Sequence, residues 1–104
     1  METKEKISEK EIVDIILNEY GPVEKIIMFG SRARGEADEY SDTDLIIIKD
    51  TDKRFLERLR EAPFLPVPAD IFVYTPEEFK QMTEDGNPFV LSALAGAKII
   101  YERQ

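Results

Sequence analysis

Apolar positions along the chain change period several times, and each change marks an element. Ile12, Ile15 and Ile16 recur at helical spacing and stop at Gly21–Pro22. Ser8 followed by Glu11 is a capping-box pattern, so a helix is predicted over 9–20. The run at 24–30 is short, apolar and ends in glycine, which predicts a strand. SRARGEA then predicts a short helix and EADEYS an exposed loop. DTDLIIIK, 42–49, predicts a second strand. Its residues Leu45 to Ile48 are apolar on both faces, which places it centrally in a sheet.

The segment 51–62 predicts a helix that buries Phe55, Leu56 and Leu59 and closes at Pro63. FLPVP is an irregular connector, and ADIFVY, 69–74, is a third strand. Thr75, Pro76 and Glu78 combine an N-cap, a first-turn proline and a glutamate three residues after the cap. That helix runs to about Asp85 and stops at Gly86. Asn87–Pro88 restarts a helix that Gly96 ends, and KIIYE, 98–102, closes as a strand. No repeat, low-complexity tract or linker interrupts the order, so residues 1–104 are expected to form one domain.

Composition narrows the chemistry. Fourteen basic and 22 acidic residues give a net charge of −8, which disfavours direct nucleic-acid binding through a basic surface. A basic protein partner or a small substrate fits better. The chain has neither cysteine nor histidine. Disulfides, thiolate zinc sites, imidazole bases and histidine-ligated metals are therefore excluded. A bound metal must be held by oxygen, which favours magnesium, manganese or calcium. METKEKISEKE lacks a signal-peptide core and no apolar run approaches a membrane span, so a cytoplasmic protein with no membrane association is expected.

The candidate chemistry lies in FGSRARGEADEYSDTDLIII, 29–48. A strand that ends in glycine and feeds a helix exposes free backbone N–H groups, an arrangement suited to anions. Gly30 lets a phosphate approach the backbone, Ser31 adds a hydroxyl donor, and Arg32 or Arg34 can add a charge-assisted one. The other reading of GSRARG is a surface turn. A P-loop is excluded, because Glu36 stands where its lysine must be. In a strand, Asp42 and Asp44 project to the same face, and two adjacent carboxylates resist joint ionisation unless a cation neutralises them. Magnesium would do so; a solvated strand end is the alternative. Asp70, at the start of the third strand, reaches the same place if that strand lies beside the second. Otherwise it is a polar strand end after Pro68.

GSRARGEADEYSDTDL resembles the Gly-Ser…Asp-x-Asp-Leu signature of the DNA polymerase β-type nucleotidyltransferases, and more narrowly of their minimal nucleotidyltransferase branch. Gly30, Ser31, Ala33, Arg34, Gly35, Ser41, Asp42, Asp44 and Leu45 carry the match. Asp70 and the ending NPFVLSALAGAKIIYE extend it over nearly the whole chain. The resemblance implies an α/β nucleotidyltransferase fold, a short mixed sheet flanked by helices. It also implies ATP as substrate, its triphosphate held over Gly30, Ser31, Arg32 and Arg34. Asp42, Asp44 and Asp70 would hold two magnesium ions, with manganese as the substitute, and Asp70 would help deprotonate the acceptor.

Free-standing members of this branch resemble antitoxins paired with HEPN-domain ribonuclease toxins, to which they transfer AMP on a tyrosine. The resemblance thus implies a protein adenylyltransferase working in a hetero-complex, and the acidic charge suits a basic ribonuclease. Two alternatives stay open. One is a small-molecule nucleotidyltransferase of the aminoglycoside-modifying kind, its pocket completed by a partner chain. The other is a non-catalytic, nucleotide-binding antitoxin acting by contact. The final helix and strand are expected to leave some of Phe89, Leu91, Leu94, Ile99 and Tyr101 exposed for a partner.

Overall fold

The computed structural model describes residues 7–30, 32, 33, 35 and 43–103. Its elements are α1 (Glu9–Tyr20), β1 (Lys25–Phe29), β2 (Thr43–Ile48), α2 (Phe55–Glu61), β3 (Ala69–Tyr74), α3 (Pro76–Glu84), α4 (Pro88–Leu94) and β4 (Lys98–Glu102). The strands form one mixed sheet in the order β3-β2-β1-β4. β1 runs antiparallel to β2 and β4, and β2 runs parallel to β3.

β2 occupies the interior of the sheet, as its double-faced apolar run predicts. Leu45, Ile46 and Ile47 are fully buried, each contributing about 1.5–3 kcal/mol by leaving water. Alternation sorts the strands onto two cores. Ile26, Met28, Leu45, Ile47 and Val73 face α1, meeting Ile12 and Ile16. Ile27, Ile46 and Ile48 face the other way, against Ala93 and Leu94 of α4 and Phe79 of α3. Ser8 caps α1 with Glu11 reciprocating, and Thr75 caps α3 with Glu78 in the same way. The helix expected over SRARGEA falls largely outside the described residues; Arg32, Ala33 and Gly35 lie in a turn, with Gly35 N–H bonded to the Arg32 carbonyl at 3.3 Å.

The third helix-forming segment departs from expectation in two ways. It begins at Phe55 rather than near Thr51, because the Thr51 hydroxyl takes the Lys53 N–H at 3.1 Å and holds that stretch in a turn. It also buries only part of its apolar side: Leu59 packs against the α1-side core as expected, but Leu56 is 70% exposed and Phe55 sits at the surface, whereas Arg58 is 6% exposed. The reason is the open edge of β3. Arg58 Nη1 donates to the Val73 carbonyl at 3.2 Å, Nε donates to the Lys53 carbonyl at 2.7 Å, and the guanidinium forks onto both oxygens of Glu78 at 2.7 and 3.0 Å. Tyr20 of α1 completes the arrangement, its hydroxyl donating to the Arg58 carbonyl at 3.1 Å. A cation on α2 thus ties the sheet edge to the start of α3. Among the described residues no helix is long and apolar enough to cross a membrane.

Candidate active site

Register places the expected carboxylates. Asp44 of β2 pairs with Phe29 on its β1 side and with Asp70 on its β3 side. Facing residues on paired strands point the same way, so Phe29, Asp44 and Asp70 form one row across the sheet. Asp44 is half-buried and Asp70 exposed. The two carboxylates meet because β2 and β3 are parallel neighbours starting level with each other, Thr43 opposite Ala69. The Thr43 N–H donates to the Pro68 carbonyl at 3.0 Å and fixes that start. Asp42, Ser31 and Arg34 lie outside the described residues.

Gly30 follows Phe29 directly, with φ +81°. A β-carbon there would overlap Asp44 Oδ2 and lie 3.3 Å from Asp44 Cγ. The glycine is needed on two counts, therefore: the left-handed backbone, and the space that the Asp44 carboxylate occupies. Strand-end turn and carboxylate are packed against each other. Gly30→Ala is expected to push the Asp44 carboxylate out of the row and to cost about 1–2 kcal/mol in backbone strain. Metal-dependent binding of an ATP analogue, measured by calorimetry, should fall at least as far as in a variant lacking the Asp44 charge. An Ala variant that binds normally would separate the turn from the carboxylate.

Arg32 points elsewhere. Its Nη1 donates to the Thr43 hydroxyl at 2.8 Å and its Nη2 to the carbonyl of Ile7. Thr43 is 1% exposed and alternates with Asp44, so its hydroxyl lies on the α1 side of the sheet while the carboxylates lie on the other.

The donor set suits a hard divalent cation. Two carboxylates sit on facing positions of neighbouring strands, and both offer the oxygen donors that such a cation takes. Among the described residues no group of three acidic side chains is placed to hold a metal; the expected third carboxylate, Asp42, is outside them.

The sequence reading did not single out the aromatic floor of this face. One row further along, Phe72 lies on β3, two residues from Asp70. Phe89 of α4 packs on both neighbours, its ring 5.0 Å from Phe72 and 5.8 Å, edge-on, from Phe29. Phe29 and Phe72 are themselves 6.2 Å apart. Phe72 shares the strand parity of Asp70, which is visible in sequence. The arrival of Phe89, 17 positions after Phe72, is set by how α4 folds back across the sheet. Phe89, Leu91 and Ile99 are exposed, as expected for part of the final helix and strand, while Leu94 and Tyr101 pack against the cores.

Comparison with known proteins identifies the family. Residues 9–67 match the family model described as the nucleotidyltransferase domain. A protein of Methanocaldococcus jannaschii named for protein adenylyltransferase activity is 37% identical over 95 residues, spanning 75% of this chain and 58% of its own. A second protein of that organism, similarly named, is 48% identical over 44 residues, 41% of this chain and 44% of its own. MntA of Haemophilus influenzae, also named for that activity, is 38% identical over 84 residues, 74% of each chain. The chain thus spans little more than half the length of the first relative and less than half of the second. With the matched model covering the carboxylate strand and the glycine turn that holds it, the chain belongs to the nucleotidyltransferase domain family.

Proposed function

We propose that the protein is a magnesium-dependent adenylyltransferase that moves AMP from ATP onto a tyrosine of a HEPN-type ribonuclease and so acts as its antitoxin. The observation that carries the reaction class is the row of Asp44 and Asp70 beside the Gly30 turn. A triphosphate resting on the Gly30–Ser31 backbone would have its α-phosphorus beside both carboxylates. Magnesium held by Asp42, Asp44 and Asp70 would supply charge neutralisation at the reacting phosphate. The tyrosine oxygen attacks the α-phosphorus and its bond to the pyrophosphate bridging oxygen breaks. AMP becomes esterified to the tyrosine, and pyrophosphate leaves. Asp70, the more exposed carboxylate, takes the tyrosine proton. The relatives' names support a protein as acceptor. The acidic chain and the exposed Phe89, Leu91 and Ile99 suit a basic protein surface with apolar contacts. AMP on a tyrosine near the ribonuclease site would set an anion where RNA phosphate must bind.

The test is co-purification with the candidate ribonuclease, then intact mass of that partner after incubation with ATP and magnesium. A gain of one or more AMP units is expected. Asp70→Asn should keep the complex together yet abolish both the mass gain and the relief of toxicity. If Asp70→Asn still neutralises the ribonuclease in cells, neutralisation is by contact and the enzymatic reading fails.

A further inference from the structure

We infer that Arg32 is a positioning residue, and that it holds the carboxylate strand from the opposite side of the sheet rather than binding the substrate phosphates. This rests on the proposed metal-dependent nucleotide site; it adds Thr43 to that site and gives Arg32 a different role from the phosphate contact expected from sequence.

Three observations meet at Thr43. Its N–H is bonded to the Pro68 carbonyl at 3.0 Å, which sets the level at which β3 begins beside β2. Its hydroxyl accepts from Arg32 Nη1 at 2.8 Å. Its side chain is buried on the α1 side, whereas Asp44, the next residue, points to the other side with Asp70 and Phe29. The second donor of Arg32 reaches the carbonyl of Ile7, just before the Ser8 cap of α1. One guanidinium therefore joins three segments: the turn after Gly30, the first residue of β2, and the entry to α1.

The planar fork of arginine suits this task, because it holds two separate oxygens in fixed directions. Its consequence is registration. The Gly30 turn and Asp44 are packed so closely that a β-carbon on the glycine would overlap the carboxylate. A slip of the turn against the strand start would move anion site and carboxylates apart. The Arg32–Thr43 bond opposes that slip from beneath, without contacting either group. A phosphate ligand has the reverse geometry: it needs its guanidinium on the face of Asp44.

The experiment compares Arg32→Ala, Thr43→Val, Thr43→Ser and the Arg32→Ala/Thr43→Val double variant. Binding of a non-hydrolysable ATP analogue is measured by calorimetry with manganese and, separately, without metal. Thr43→Val and Arg32→Ala are each expected to weaken manganese-dependent binding about ten- to a hundredfold, the usual loss when a support behind a metal ligand is removed. The double variant should be no worse than Arg32→Ala alone, since Thr43→Val removes a bond that Arg32→Ala already removes together with the one to Ile7. Thr43→Ser, which keeps the hydroxyl, should bind like the parent, and metal-free binding should be unchanged throughout. The inference is overturned if Arg32→Ala weakens metal-free binding while Thr43→Val leaves both modes intact, which is the behaviour of a phosphate ligand.

Amide exchange gives a readout that needs no ligand. The Thr43 amide should exchange faster in Arg32→Ala and at the parental rate in Thr43→Ser; an unchanged rate in Arg32→Ala overturns the positioning role. Should the parent protein fail to bind the analogue at all, the nucleotide reading fails, and the exchange rates still decide the role of Arg32.

Discussion

Asp44→Asn is expected to lower the proposed AMP transfer by about a hundred- to ten-thousandfold while leaving the fold intact. The substitution keeps shape and removes one negative charge from the centre of the Phe29–Asp44–Asp70 row. On the proposed reaction, a magnesium ion held by these carboxylates would contribute several kcal/mol to stabilising the charge that develops in phosphoryl transfer, and each ~1.4 kcal/mol is tenfold in rate. Asp44 has the most to lose among the described carboxylates. It alone is flanked on one side by a second carboxylate and on the other by the turn whose glycine makes room for it. Two measurements check this: partner adenylylation by quenched-flow mass spectrometry, and manganese-dependent analogue binding. The melting temperature should stay within a few degrees of the parent, because Asp44 is half-buried at a strand start rather than in the core. Full transfer by the variant would remove the metal assignment altogether.

Arg58→Met is expected to destabilise the protein by roughly 2–3 kcal/mol, with a fall in melting temperature of roughly 10 °C or more. Methionine fills similar volume but leaves the carbonyls of Val73 and Lys53 without their donor, and frees Glu78 from its fork. The low-pH behaviour should change with it. The Arg58 side chain, bonded to Glu78, is the main cause holding that carboxyl below its ordinary value of 4.5, with the Thr75 amide and hydroxyl assisting against partial burial. A carboxyl lowered on folding contributes stability that is complete above its unfolded pKa and is lost as pH falls through the folded one. The parent should thus lose stability below about pH 4.5 as Glu78 is protonated. In Arg58→Met that part of the decline should flatten. Thermal melts of both proteins at descending pH measure it; a parallel decline would show that the ion pair adds nothing to acid stability.

The sequence by itself determined the types of the eight described elements, the central place of β2 and the nucleotidyltransferase family. Alternation and capping are local: Ser8 with Glu11, Thr75 with Glu78, and the double-faced run Leu45–Ile48 carry their meaning within a few residues. Asp44, Asp70 and the Gly30 turn were visible for the same reason: aspartate is a poor strand former and stands out at a strand start, and a glycine that ends a strand marks a turn. Tertiary structure alone decided the rest. That Asp70 stands level with Asp44 depends on the β2–β3 register, anchored by a bond from Thr43 to Pro68 that spans 25 positions of chain. That Phe89 roofs Phe29 and Phe72 depends on the path of α4. Arg58 reads as the solvent side of an amphipathic helix, yet an unpaired sheet edge, with carbonyls that need donors, attracts a guanidinium more strongly than it attracts Leu56. Arg32 reads as a phosphate ligand because it sits in a glycine-rich turn. Its direction was fixed by two oxygens, on Thr43 and Ile7, that come within reach only when α1 and β2 have packed together on the same side of the sheet.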